Sequence, residues 1–389
     1  MADISNVVFA AALAWQGAVD IAEGRGERGA WQQNESRYDY VDDPAVALDE
    51  RGEAAVAWAD QGEKDIFFNG VNVSRSPATF SWLPRIARAG ERVLVLWQEI
   101  VFSGGSHGGD ILFARSEDGG KTFSAPLNLS DSLAGDGKGR ITKDLWHNGS
   151  LDLALGPGGS VYTAWTEYEG ALWFRRSTDG GKTFSGRRKI SPVGGAARGP
   201  SLAVAGGTLH LAWTDGDIRI ATSTDGGESF DAPVRVTRSR AYSDAPKIAL
   251  DARGVLHLVF AEGGRIRYAT SADGARSFQQ ARHISKPRAG FPSLGVDGKT
   301  GVYVVYELFP HGQQRPRGLG IAVSRDGGRT FSAPETVPGS TAPGGAPNGS
   351  FQGLLMQKLA VNRRGEVAVV NSSVQDGARS RVWLMRSAP

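Results

Sequence analysis

The residues of this sequence best suited to chemistry gather in a few short runs. Lys143-Asp-Leu-Trp-His147-Asn148 is the densest polar–aromatic stretch. Trp146 offers a flat face for a sugar ring, and His147 a general base that works near neutral pH. Glu167-Tyr168-Glu169 sets a phenol between carboxylates, and a carboxylate that draws off a phenolic proton turns the oxygen into a nucleophile. Neighbouring strand residues point to opposite faces, so adjacency alone does not pair Glu167 with Tyr168. Arg37-Tyr-Asp-Tyr40 carries groups suited to binding sugar hydroxyls and acids, and serves equally as a segment that closes a ring. His107, His147 and His311 show no metal-ligand spacing, so neither a metal nor any other cofactor is expected. His210 and His257 take the same place in two apolar strands and are expected to be structural.

The elements that must position these groups are announced by a repeat. Five octapeptides share one pattern, Ser-x-Asp-Gly-Gly-x-Thr/Ser-Phe, with Ala275 for the second glycine in the fourth: Ser116 to Phe123, Ser177 to Phe184, Ser223 to Phe230, Ser271 to Phe278 and Ser324 to Phe331. The Asp accepts hydrogen bonds from turn N–H groups, the glycines supply left-handed backbone, and the Phe returns the chain to an apolar layer. A motif recurring 46 to 61 residues apart means one supersecondary unit repeated around an architecture.

These octapeptides resemble the Asp-box of sialidases and related β-propellers. The resemblance implies that each joins the third and fourth strands of a blade, on the face away from the ligand. It therefore implies a structural role for the five aspartates. Sialidases hold a substrate carboxylate with three arginines and use a Tyr–Glu pair as nucleophile and an Asp as acid/base. Their Arg-Ile-Pro signature is matched by Arg85-Ile86 without the proline, so Arg85 is the implied carboxylate ligand. No position matches the other two arginines.

Aligning the stretches around the boxes exposes seven units. Second strands end in an aromatic residue at Trp58, Trp97, Trp165, Trp213, Phe260 and Tyr306, with a weaker copy at Asn371. The expected fold is all-β, a seven-bladed propeller of four-stranded antiparallel blades in a single domain. The blades fall near 40–80, 81–133, 134–192, 193–238, 239–286, 287–338 and 339–389, and a strand over 3–15 closes the ring. Sialidase catalytic domains have six blades, so seven count against a close relative. In the first unit Phe67-Phe-Asn-Gly-Val-Asn-Val-Ser74 passes from third to fourth strand with the box deleted.

On this frame the ligand face lies opposite the boxes, where long segments enter blades 1, 3 and 7 (24–40, 134–148, 338–353) and leave second strands at 100–109 and 308–317. One position near the start of each first strand varies where repeats should agree. It reads Ala45, Arg85, Asp152, Ser201, Lys247, Ser293 and Lys358. Two residues past the aromatic, Asp60, Glu99, Glu167, Asp215 and Glu262 form a second series, suited to a ring of acids or to pairing with neighbouring N–H groups. The candidate catalytic residues are thus Glu167, Tyr168, His147 and Asp152. The candidate binding residues are Arg85, Arg37, Tyr40, Trp146, Lys247, Lys358 and Glu99.

Composition narrows the function classes. A net charge of +3 without a basic stripe gives no case for nucleic acid, and no stretch is long and apolar enough to span a membrane. The absence of cysteine rules out disulfides and thiol chemistry. The start Met1-Ala-Asp-Ile has no basic leader, while the family resemblance implies a periplasmic or secreted protein. The expected ligand is a glycan or other anionic small molecule at the channel mouth, with glycoside hydrolysis as the expected reaction. A non-catalytic lectin or a scaffold for a protein partner is the alternative, and a His147-based polysaccharide lyase is a further one.

Overall fold

Second strands such as Ala54–Asp60, Val161–Thr166 and Thr208–Thr214 are runs of Ala, Val, Leu and Trp with hardly a polar interruption. A strand of that kind is stable only when both its faces are covered. The structure, a computed structural model, meets this need by packing sheets face to face around an axis. It describes residues 13–30, 32, 35–76, 79–103, 106–131, 150–167, 170–191, 197–239, 241–341, 346–349 and 355–388, the side chains of 101–109 and 388 excepted.

Seven antiparallel blades form the ring, each running from its first strand at the axis to its fourth at the rim. Blade 1 comprises Val41–Leu48, Ala54–Asp60, Asp65–Phe68 and Val71–Asn72, and blade 2 comprises Phe80–Ala89, Arg92–Ser103, Ser106–Ser116 and Leu127–Asn128. Blade 3 holds Leu151–Leu155, Val161–Thr166, Leu172–Ser177 and Arg188–Lys189; blade 4 holds Arg198–Ala205, Thr208–Thr214, Ile218–Ser223 and Val234–Arg235. Blade 5 is Ser243–Leu250, Leu256–Glu262, Arg265–Ser271 and Arg282–His283, and blade 6 is Ala289–Val296, Val302–Leu308, Leu319–Ser324 and Glu335–Thr336. Blade 7 comprises Leu359–Val361, Val367–Gln375 and Arg379–Ala388, completed by residues from the start of the chain.

That completing strand meets the expected 3–15 at Ala14–Trp15 and continues beyond it. Ala14–Trp15 and Val19–Gly24 both pair with Arg379–Ala388, while residues 1–12 lie outside the described part. Charge fixes the later register: Arg379 and Arg381 reach Asp20 at 3.0 and 3.3 Å. The deleted box of blade 1 is borne out. Asn69 and Gly70, both at positive φ (47° and 78°), make a two-residue hairpin that sets Phe68 opposite Val71. The segment 100–109 is correspondingly an extension of a strand pair, running to Ser103 opposite Ser106, and not an open loop.

The five octapeptides fold alike. In the third, Ser223 Oγ donates to Asp225 Oδ1 (2.8 Å) and accepts from Gly227 N–H (2.8 Å), while Ser229 donates both N–H and Oγ–H to Asp225 (3.0 and 2.5 Å). These bonds hold each box carboxyl well below the usual carboxylate range. The second glycine is demanded by packing. A Cβ on Gly227 would stand 2.8 Å from Phe174 of the preceding blade, and one on Gly120 or Gly181 would collide with Phe68 or Phe113 in the same way. In blade 5 that glycine is replaced by Ala275. The preceding blade there offers the slimmer Ile220, packed in one cluster with Ala275.

Candidate functional site

In a meander the first strand enters at the end where second and third strands join, so the octapeptide turns lie at the opposite end. The entry is built by a device the sequence reading missed. Five first strands carry a bulge in which a residue at positive φ precedes proline: Asp43-Pro44, Leu83-Pro84, Gly199-Pro200, Ala245-Pro246 and Phe291-Pro292, with φ of 51°, 62°, 59°, 50° and 48°. Proline lacks the N–H that a ladder needs, and a bulge is where a strand tolerates that loss. The residue after each proline is Ala45, Arg85, Ser201, Lys247 or Ser293, so the bulge places the variable series about halfway along the first strands, at the waist of the axial channel. The recurring x-Pro-z triplet was a visible signal for it.

Part of this series closes the ring. The inner edge of each first strand would otherwise leave backbone N–H groups without partners. Asp152 Oδ2 accepts Leu202 N–H (2.7 Å), Ser201 Oγ accepts Ile248 N–H (3.1 Å), and Ser293 Oγ accepts Lys358 N–H (3.1 Å). Lys358, 5% exposed, ion-pairs with Glu307 and donates to Asn371 Oδ1 at 2.9 Å. Asn348 donates to the same Glu307. In the sequence Glu307 shows only as the neighbour of Tyr306; standing one residue past the aromatic instead of two, it falls outside the acid series.

Arg85 is 1% exposed. It passes over the small Ala45 position to donate to Leu355 O (2.7 Å) and Met356 Sδ (3.0 Å), and its Nε stands 3.8 Å from Asp152 Oδ1. Burial pulls its pKa down, opposed by the charges of Asp152 and Asp43. Lys247 comes to the same centre from the far side of the ring. No hydrogen-bond partner for its Nζ is found among the described residues. Burial pushes the amine down to about 8, Arg85 adding to the effect and Asp152 opposing it. Arg85, Asp152 and Lys247, from blades 2, 3 and 5, thus meet across the axis. Beyond them a cavity of about 250 Å³ is lined by Leu48, Ile86, Leu153 and Leu294 together with Arg88 and Gln357. Toward the mouth, Tyr242 leaves 48% of its surface exposed, with the Arg198 guanidinium 4.3 Å from its ring centroid.

The remaining candidates are placed elsewhere. Glu167 is buried, accepting Trp165 Nε1–H (3.0 Å) and Arg187 (3.0 Å). Glu99 accepts Ser81 Oγ–H (2.7 Å), Trp97 Nε1–H (3.1 Å) and the Thr79 hydroxyl, and burial raises its pKa. Both acids thus bond side chains of their own blade. Arg37 is exposed, and Tyr40 lies under the Arg28 guanidinium (5.0 Å), its phenol pKa raised by burial and by Asp42. His147, Trp146 and Tyr168 lie outside the described residues. No group of His, Asp and Glu able to hold a metal occurs among the described residues. His210 and His257 serve inside blades, bonding Thr222 Oγ1 (2.9 Å) and Tyr268 Oη (2.7 Å).

No family model matches the chain, and no curated protein matches it either. Solved structures do. A protein of unknown function from Dyadobacter fermentans is 12% identical, with a TM-score of 0.55 over 96% of this chain and 100% of that one. The α-L-arabinofuranosidase Arb93A from Fusarium graminearum, solved with an iminosugar inhibitor, is 13% identical with a TM-score of 0.55 over 94% and 98%. The NanB sialidase from Streptococcus pneumoniae is 11% identical, with a TM-score of 0.53 over 79% of this chain and 68% of that one. At such identities the likeness is one of fold: this chain is a seven-bladed β-propeller, similar in fold to a sialidase and an arabinofuranosidase.

Proposed function

We propose that this protein binds an anionic glycan at the mouth of its axial channel, with Lys247 as the cation that recognises the acid group. The observation that carries the reading is the Lys247 amine, held at the waist of the channel without a hydrogen-bonding partner among the described residues. Lys247 is half-buried, and an ammonium drawn out of water is costly unless something offsets its charge, as an incoming carboxylate does. Arg85 and Asp152 set the field around it, and exposed Tyr242 offers an aromatic face of the kind sugar rings stack on. Glycan-processing enzymes among proteins of similar fold agree with the ligand class. The reading carries with it a protein that works in the periplasm or outside the cell.

Glycoside hydrolysis is the second reading, favoured by Glu99. Its carboxyl is pushed up by burial on the mouth side of blade 2, as a general acid requires. The test is a calorimetric titration with a sialoside, an oligogalacturonide and a neutral oligosaccharide, products being followed by chromatography. The acidic ligands are expected to bind and the neutral one not. Lys247→Met is expected to weaken binding at least tenfold. Equal binding of neutral and acidic sugars, or full affinity in Lys247→Met, overturns the assignment. Product release that disappears in Glu99→Gln while binding persists establishes hydrolysis; no product from any of them leaves a lectin.

A further inference from the structure

A second charged feature lies far from the channel. In the repeat, the residue just before the buried Ile of the third strand (Ile66, Ile111, Ile218) is Asp in blades 1, 2 and 4 (Asp65, Asp110, Asp217). In blade 4 its work is plain: Asp217 ion-pairs with Arg235 of the outermost strand at 2.5 Å and accepts the Thr237 hydroxyl. Blade 5 puts Arg265 at that position. The strand pairing makes His283 the counterpart of Arg235, since Arg235 stands opposite Arg219 and His283 opposite Arg267. A neutralising carboxylate has been exchanged for a cation.

The consequence is a cleft of about 420 Å³ at the rim between blades 5 and 6. Arg265, Arg282, His283 and Lys286 line it, with Phe331 and Pro334 from the blade 6 side. None of these cations has an ion pair among the described residues; Arg282 lies over the Phe331 ring and donates to Gly328 O. Glu262, the acid that acts on His283, is engaged by Arg267 (3.3 Å) and by the Ser239 and Ser243 hydroxyls. Partial burial lowers the His283 pKa, the charges of Arg267 and Arg265 adding to it and Glu262 opposing them.

We propose that this cleft is a second binding site, for a carboxylate- or sulfate-bearing glycan chain. Charge complementarity selects an anion, and the ring of Phe331 with Pro287 and Pro334 gives apolar faces for sugar C–H groups. An acidic peptide fits less well. Adding a strand to this edge needs a row of free N–H and C=O groups, and the edge is a strand of two residues, Arg282–His283, closed off by Pro287. The inference does not rest on the reading of the channel mouth.

The test uses the whole protein and a heparin-derived hexasaccharide and a hexagalacturonide as probes, with polyaspartate of matched charge and inorganic sulfate as comparators. At least one of the two glycans is expected to bind more tightly than both comparators. The imidazole of His283, followed by NMR, is expected to titrate at higher pH in its presence. Arg265→Asp, which restores the residue of blades 1, 2 and 4, and Lys286→Glu, on an exposed side chain, are each expected to weaken binding at least tenfold. The His283 shift reports this cleft and not the channel, so binding at the channel does not enter the reading. Unaltered binding in folded Arg265→Asp and Lys286→Glu overturns the site. Polyaspartate binding as tightly as the glycans overturns the glycan as its occupant.

Discussion

Lys247 is a residue held at a cost. Its amine is pushed down from 10.5 to about 8, so the folded state disfavours the charged form. A lowered lysine pKa subtracts stability below the folded value, and the deficit disappears as pH rises from about 8 toward the unfolded value. Lys247→Met is therefore expected to stabilise the protein at pH 7, by roughly 1–2 kcal/mol once water in the channel is allowed for. The gain should vanish above about pH 10, as denaturant melts at several pH values will read. A destabilised Lys247→Met at neutral pH would mean that the ammonium has a stabilising partner. Coupled to the loss of anion binding predicted above, the gain marks a residue kept for function and not for the fold. Lys358 contrasts with it: the same side chain at the same register, but ion-paired with Glu307 and hydrogen-bonded to Asn371, it belongs to the framework.

At the scale of the element, the octapeptide is a clasp between blades. Its serine and aspartate bind the turn, and its second glycine gives room to an aromatic ring of the blade before. Gly227→Ala puts a Cβ at φ +87° and 2.8 Å from Phe174. Left-handed strain and overpacking together should cost about 2–4 kcal/mol. Blade 5 shows the remedy in the Ile220–Ala275 pair. In Gly227→Ala/Phe174→Ile the two changes should be less damaging together than the sum of each alone, with a coupling of about 1–2 kcal/mol in a double-mutant cycle. Strict additivity would show that the glycine is needed only for its backbone. The proline bulges act at the other end of the first strands. Four of their five left-handed positions are not glycine, and strain of this kind is stored where a side chain must be aimed.

For the whole molecule, closure is the decisive event, because a propeller with an open blade exposes a strand edge. Removing residues 1–24 strips Ala14–Trp15 and Val19–Gly24 from Arg379–Ala388 and breaks the Asp20 ion pairs with Arg379 and Arg381. The truncated chain is expected to melt lower by roughly 10 °C and to self-associate through the uncovered edge. An unchanged Tm in a monomeric truncated protein would show that the ring holds without this strand. The two charged sites sit in different parts of this architecture. One is at the waist, where strands of several blades converge; the other is at the rim, where one blade departs from its repeat.

What the sequence determined by itself is what repetition encodes. Glycine, aspartate and aromatic positions recurring at blade intervals dictated the number of blades, the turn that joins third to fourth strands, the deletion in blade 1 and the series Arg85, Asp152, Lys247. These follow from local chemistry: a tight turn needs particular residues wherever it occurs. The closing strand was foreseen only as far as Trp15; that Val19–Gly24 pairs with Arg379–Ala388 as well is a matter of tertiary pairing. Tertiary structure alone decided which polar residues satisfy one another. Glu307 and Lys358 stand 51 residues apart, and no spacing in the chain marks them as partners. Nor could the chain reveal that Asp152 is occupied by a backbone N–H while Lys247 finds no such partner, since desolvation and pairing are properties of the closed ring.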